Sequence, residues 1–402
     1  MRTLISFAAL FLSIVFVQLG SGTLGPLDAL SGLAAGFSTT EIGLLGSAHF
    51  VGFFIGCWIT PRLLGSVGPV CAFAAFAVAG VVGALAHPLF VSAPAWAGLR
   101  VLSGLAVAGA YTIAEVWLQA GVTNATRGRV LGAYRLVDLG ASLLAQVMIG
   151  FLEPLSYVSY NIVAIFCCLA LLPLMLTHAP EPDAGEAPRL RPGLVLRLSP
   201  LGVAGILTAG VTMPSFRMVG PLYGAEIGFR PGEIGLWLGA AVLGGALAQL
   251  PVGWLADKID RRRVLIGVSL AAILVCIWTA WAVPVGWAAY AAAFAFGFTT
   301  LPLFSVSAAH ANDFAAPEEV AELNSGLMFF YGMGAIAAPL GVSRLIEAAG
   351  PGALFGFIAA AHGALILFGL YRMTRRAVPE ARTPYTYTPR TSFLLGRILR
   401  RR

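Results

Sequence analysis

Six ionisable residues, Asp28, Arg100, Glu115, Arg135, Asp138 and Arg217, sit inside stretches of sequence that are otherwise almost free of charge. If those stretches cross a bilayer, each such side chain is costly unless it faces the protein interior or a water-filled cavity and has a partner. Acids so placed can carry protons, and arginines so placed can hold anions. Arg135 and Asp138 are three apart, so on a helix they share a face and can pair. Glu115, at comparable depth on the preceding antiparallel segment, is a second partner for Arg135. The three are either a structural tie between two helices or a group that carries protons and binds substrate. Arg217 has no acid within a helical turn. It either holds an anionic part of a substrate or pairs with Asp28, at a similar outer level, as an external gate. His49 ordinarily titrates near neutrality, and is either a proton carrier or, more plainly, a buried hydrogen-bonded histidine. Gln18, Tyr111, Gln146, Gln249 and Tyr331 are polar groups suited to lining a solute cavity, although Tyr and Gln also serve helix packing.

Absent motifs narrow the classes. No Gly-x-x-x-x-Gly-Lys-Ser/Thr phosphate loop occurs, so the chain by itself is not expected to use ATP. No cluster suits a metal or pairs a nucleophile with its base, so an enzyme is not expected and no cofactor is called for. The five cysteines (57, 71, 167, 168, 276) all lie in apolar segments without metal-ligand spacing and read as packing residues.

The elements that must position these residues follow from composition. Of 402 residues, 58% are hydrophobic and 11% charged, against roughly 25% charged in a soluble domain. Apolar stretches of about 20 residues, each long enough to span a bilayer, recur along nearly the whole chain. Twelve spans are expected, at about 4–33, 41–61, 69–87, 94–119, 129–152, 156–178, 199–225, 232–256, 264–282, 286–310, 321–346 and 351–374. The first is too long for the apolar core of a signal peptide. The fold class is thus all-α integral membrane, with residues 1–178 as one six-helix bundle and 199–374 as a second. Residues 179–198, rich in Pro and charge, form a cytoplasmic linker, and 375–402 a basic cytoplasmic tail. With both termini inside, twenty Lys and Arg fall on the cytoplasmic side and two, Arg230 and Arg344, on the other. That bias predicts a multi-pass membrane protein with both termini cytoplasmic. One cytoplasmic turn departs from it: Asn312-Asp313 to Glu322 holds acids and no base. The formal charge of +7 belongs to the tail, where residues 372–402 hold nine arginines and one glutamate. Nucleic-acid binding gains no support from it. Phe393 to Arg402 instead reads either as a basic amphipathic piece on anionic inner-leaflet lipids or as a plain positive-inside tail.

The chain repeats at about half its length. Glu41-Ile-Gly-Leu44 returns as Glu233-Ile-Gly-Leu236, 192 positions later, and an offset of 194 pairs Gly132 with Gly326 and Gly140 with Gly334. Two six-span halves related in this parallel sense resemble transporters of the major facilitator type. Gly253-x-Leu-x-Asp257-Lys258-x-x-Arg261-Arg262 is similar to that superfamily's cytoplasmic signature, in its second-half position, with Asp260 where the family has its second glycine. In the first half Gly65 stands where the acid belongs. Arg100-x-x-x-Gly104 resembles the superfamily's fourth-span arginine motif. Ala114-Glu115-x-Trp117-Leu, Arg127-Gly128-Arg129-x-Leu-x-x-Tyr134 and Pro221-Leu-Tyr223 resemble the YcaD-like bacterial branch.

The resemblance implies that the first, fourth, seventh and tenth spans line a central cavity. Gln18, Tyr111, Arg135, Arg217 and Tyr331 are then expected to meet substrate. Asp28, Glu115, Asp138 and Arg100 are expected to couple protons. Asp257, Lys258, Arg261 and Arg262 are expected to gate, Asp257 latching onto a helix N-terminus while the basic residues either hold lipid phosphates or act as positive-inside anchors. The expected function is secondary transport of a small organic solute by alternating access, coupled to protons, by a monomer. The solute leans towards an organic anion or zwitterion on the strength of Arg217 and Arg135. Export of an amphiphilic compound is the alternative, and a non-transporting sensor or scaffold on the same fold is another.

Overall fold

The computed structural model describes residues 7–120, 122, 127–175, 190–316 and 318–375, and the basic tail expected to meet lipid lies outside them. All regular structure among them is helical. The chain forms two compact units, Met1–Ala187 and Pro188–Arg402. The first unit comprises α1 (Ala8–Ala34), α2 (Thr39–Ala86), α3 (Ala93–Ala120), α4 (Arg127–Met148), α5 (Tyr157–Leu169) and α6 (Leu171–Met175). The second comprises α7 (Pro192–Leu198), α8 (Pro200–Glu226), α9 (Pro231–Lys258), α10 (Arg261–Ala282), α11 (Trp287–Thr300), α12 (Pro302–Asn312), α13 (Val320–Ala349) and α14 (Ala353–Arg375).

Among the described residues, eleven helical stretches are long and apolar enough to cross a membrane. One of them, α2, has 48 residues, or ~72 Å at 1.5 Å per residue, more than twice the ~30 Å hydrocarbon core. It therefore holds two spans, which brings the total to twelve. The turn expected at 62–68 shrinks to one break at Gly68, whose φ of 78° is a left-handed value that glycine adopts without a Cβ clash. Pro69 follows at once and fits the start of the next helical run. The tenth span is divided into α11 and α12 at Pro302, which lacks the N–H needed to continue the ladder. Part of the expected linker is ordered as well, since α7 sets Val195 against α13 at Gly326.

The repeated Glu-Ile-Gly-Leu is a helix-start signal. In the first copy the Ser38 N–H donates to Glu41 at 2.8 Å while Ser38 Oγ accepts from the Glu41 N–H at 3.2 Å, a reciprocal cap. In the second, Glu233 again accepts from the residue three before it, the Arg230 N–H at 2.8 Å. Arg230 has no acceptor to return the bond, and Pro231 at the first helical position needs none. The repeat also extends to packing. A Cβ on Gly52 would overlap the Val101 carbonyl oxygen, and one on Gly104 the His49 carbonyl oxygen. In the second unit, Gly244 stands in the same relation to Phe294 and Gly297 to Ala241. Each unit thus has a crossing, α2 on α3 and α9 on α11, where two backbones touch because glycine leaves room, and the second unit has another, α8 on α13, at Gly210 and Gly334.

Candidate functional site

Burial of polar groups singles out three places. The first lies where α1, α3 and α5 meet the end of α2. Asp28, on α1, is 1% exposed. Its Oδ1 accepts from the Tyr160 hydroxyl of α5 at 3.1 Å. Its Oδ2 lies 3.3 Å from His87 Nε2 and 3.5 Å from Arg100 Nη1 of α3. His87, just past the end of α2, is fully buried. Its ring stacks on Tyr160 with centroids 5.2 Å apart, and Trp96 Nε1 donates to its carbonyl at 3.0 Å. Asp28 thus finds its partners within its own unit. Arg100 does not snorkel, because its side chain is 1% exposed and aimed at this carboxylate.

The second place joins α1, α3 and α4. Tyr111 Oη lies 2.6 Å from Gln18 Oε1 and 2.7 Å from Asp138 Oδ1. A phenol has one hydrogen, so it serves one of these acceptors. The other contact requires either that Asp138 be protonated and donate back, or that the Gln18 amide turn its NH2 inward. The triad is therefore satisfied either with a protonated Asp138 or with a turned Gln18 amide. One turn away, Glu115 Oε1 accepts from the buried Tyr134 hydroxyl at 3.3 Å and faces Arg135 Nη2 at 3.7 Å. The Arg135 guanidinium covers the Tyr134 ring at 4.6 Å. Of the two partners open to Arg135 in the sequence, Glu115 is in ion-pair reach, while Asp138 is turned to Tyr111.

The third place is the turn between α9 and α10. Arg261 is the buried hub. Its Nη1 donates to the Ala309 carbonyl at 3.0 Å and to Asp313 Oδ1 at 2.5 Å, and its Nη2 reaches Asp257 at 3.3 Å. Asp257 is 46% exposed and contacts Arg261 of its own turn. The acid that caps a helix N-terminus is Asp260, which accepts from the Arg262 N–H at 3.0 Å and binds the Arg262 guanidinium at 2.8–3.1 Å. Burial alone would raise the Asp260 carboxyl, but these Arg262 bonds outweigh it and hold the group below the ordinary carboxylate range. Arg261 and Arg262 are therefore tied to acids and buried rather than displayed to lipid. Lys258 is exposed, its Nζ 4.1 Å above the Trp254 ring. The acidic turn after α12 also finds its reason, since Asp313 neutralises Arg261 and Glu322 pairs with Arg191 at 3.2 Å.

Among the remaining candidates, His49 is buried with Nδ1 3.4 Å from Ser103 Oγ, and Gln146 Nε2 donates to the Gly22 carbonyl at 3.4 Å. Arg217 is half-buried on α8, and Tyr331 is buried on α13 edge-on to Phe304 at 5.6 Å. Sequence reasoning passed over His87, Tyr160 and Tyr134. The signal for His87 was available: a histidine at the outer end of an apolar span, level with Asp28 and Arg100.

Twelve apolar spans in two repeated units, with interior acids and arginines in mutual contact, define a solute transporter of the membrane-spanning kind. A profile of the Major Facilitator Superfamily matches residues 201–402, and the chain belongs to that superfamily. Relatives agree along most of its length. The uncharacterized MFS-type transporter YE1530 of Yersinia enterocolitica is 27% identical over 86% of this chain and 89% of its own. The uncharacterized MFS-type transporter YcaD of Salmonella arizonae is 26% identical over 87% and 91%. Among solved structures, the nucleoside transporter NupG superposes with a TM-score of 0.73 at 15% identity, covering 93% of this chain and 99% of NupG. A D-xylose–proton symporter superposes at 0.65 and 16%, covering 94% and 99%. These likenesses are of fold. The protein is a multi-pass membrane transporter.

Proposed function

We propose that the protein is a secondary active transporter that moves a small organic solute by alternating access and draws on the proton gradient of the bacterial inner membrane, with both termini cytoplasmic. The observation that carries this reading is the pair of buried acid clusters in the first unit. A carboxylate placed among hydroxyls and cations, away from water, can change its proton count when the protein opens. A solute shifts the balance between open states only through its different affinity for each. Gln18, Tyr111 and Asp138 offer a donor, an acceptor and a titratable acid in one file, which suits the amino or hydroxyl groups of a solute. Arg135 is engaged by Glu115, so it contributes less to anion binding than its charge implies. Arg217 is the cation assigned to a solute carboxylate, and the leaning is to a zwitterion over a simple anion. Tyr331 is assigned to substrate as a packing surface.

Solid-supported membrane recordings on proteoliposomes test the reading, with amino acids, hydroxy acids and nucleosides applied in turn. The expected result is a transient current for at least one class, lost in Tyr111→Phe and Asp138→Asn and abolished by a protonophore. Solute flux that ignores the pH gradient rejects the coupling.

Export of an amphiphilic compound is a second reading. The apolar lining of a narrow crevice in the first unit, made by Val17, Leu24, Phe73, Phe76, Val163 and Cys167, is of the kind such a compound would meet. Retention of hydrophobic dyes by cells lacking the protein, reversed on re-expression, is the expected outcome under that reading.

A further inference from the structure

His87 lies outside every site expected from the sequence, and its geometry specifies a chemical state. Nδ1 is 2.6 Å from the Gly83 carbonyl oxygen, an atom that can only accept, so Nδ1 carries hydrogen. In a neutral imidazole the other nitrogen is then a bare lone pair, yet Nε2 faces the Asp28 carboxylate at 3.3 Å. Two acceptors do not rest against each other in a dry interior at no cost, so one proton belongs between them. Where it resides is decided by the surroundings of Asp28. Arg100 sits 3.5 Å from the same oxygen, and the Tyr160 hydroxyl donates to the other at 3.1 Å. One hydroxyl donor and one guanidinium charge besides His87 hold the carboxylate ionised, and the proton falls to the imidazole. Among the described residues, the titratable or charged groups around the ring are Asp28 from α1, Arg100 from α3 and Tyr160 from α5.

We propose that His87 is the proton-binding group of the coupling site, with Asp28 as its fixed counter-ion and Arg100 as the charge that keeps Asp28 ionised. The assignment rests on the proton-coupling reading above and changes which residue carries the proton. With His87 protonated, the cluster holds two cations and one anion, and the excess positive charge is spread over the stacked Tyr160 ring and the Gly83 carbonyl. Loss of the Nε2 proton to water leaves Arg100 and Asp28 as a neutral pair. The imidazole lone pair then repels the carboxylate, and the tie between the end of α2 and α1 is released. His87 and Asp28 are both buried, so the proton exchanges only after this end of the unit opens. That order of events is what coupling requires, because a proton free to leave at any time drives nothing.

Side-chain 15N spectra of histidine-labelled protein in lipid nanodiscs read the state directly. The chain has five histidines. The His87 signals are assigned by His87→Gln or, if that variant does not fold, by elimination with His49, His178, His310 and His362 replaced in turn. The expected result is a doubly protonated His87 at about pH 5 that converts to the Nδ1–H tautomer below about pH 9. Asp28→Asn should lower its midpoint by at least about one pH unit. A His87 that stays neutral across that range in the wild type overturns the assignment, as does an unmoved midpoint in Asp28→Asn. The two readings fail separately. A titrating His87 in a protein whose flux ignores the pH gradient sinks the coupling and leaves the proton site. A silent His87 beside gradient-driven flux sinks the site and leaves the coupling.

Discussion

Arg261 illustrates how a charged residue changes meaning when its surroundings are known. In the sequence it is one of three consecutive arginines in a basic turn, and the arginine count treats all three alike. In the fold its side chain is 1% exposed and bound to Asp313, itself 3% exposed. Removing one partner of such a pair strands the other, at a cost of about 3–5 kcal/mol. Arg261→Gln or Asp313→Asn should therefore lower the melting temperature in detergent sharply, while the apolar pair Arg261→Met with Asp313→Leu should recover most of the loss. Arg263, which no such acid holds in the described contacts, serves as the control and should be silent. Asp260 adds a pH dependence whose sign follows from its lowered carboxyl. A depressed folded-state pKa contributes stability that is present above the ordinary carboxylate value and is lost as pH falls through the folded one. Melting followed from about pH 6 to about pH 3 should fall more steeply in wild type than in Asp260→Asn. Equal slopes would remove Asp260 from the account.

At the scale of elements, the duplicated segments keep their start signals and their crossings but not their turns. Glu41 and Glu233 both accept from the backbone at the head of a long helix. Gly52 with Gly104, and Gly244 with Gly297, both bring backbones into contact. A valine at Gly244 or Gly297 meets main-chain oxygen, which has no rotamer to escape into, so about 1–3 kcal/mol or more is lost. Fluorescence-detected size-exclusion should show Gly244→Val and Gly297→Val aggregating. Gly132→Ala, whose new Cβ meets nothing within 4 Å among the described residues, should elute as wild type. The matching glycine of the second unit, Gly326, is packed against Val195 instead. The glycine repeat is thus visible in sequence, but its packing role belongs to one copy.

The whole molecule carries the same asymmetry between its two units. At offsets of 195 to 196, Asp28, Arg100 and Tyr160 correspond to Tyr223, Phe296 and Phe355. The second trio is an aromatic cluster completed by Phe216 and Trp237, with Phe216 and Phe296 stacked at 4.4 Å. Where one unit keeps ionisable groups, the other keeps rings that cannot titrate. Phe296→Ala should cost about 3–5 kcal/mol of stability and leave the pH profile of transport in place. Asp28→Asn strands Arg100 and so costs stability too, but it should flatten that profile. A flattened profile in Phe296→Ala would show that the second unit shares the proton work.

Composition, span length and the half-chain repeat were enough to determine a twelve-span, duplicated membrane protein, because a bilayer imposes one-dimensional rules of length, apolarity and flanking charge, and the signature motifs added transport through their resemblance to the superfamily. The residues worth watching were legible for the same reason, since Asp28, Arg100, Glu115, Arg135 and Asp138 stand out against an apolar background. Their partners were not. Asp28 meets Tyr160 across 132 positions, and Arg261 meets Asp313 across 52. No periodicity within one helix encodes which faces of separate helices come together. Tertiary packing alone decided that Arg135 pairs with Glu115, that Arg261 is buried against Asp313, and that His87 stands against Asp28. An electrostatic contact of this kind depends on distance in space and on the exclusion of water, both of which exist only once the helices have packed.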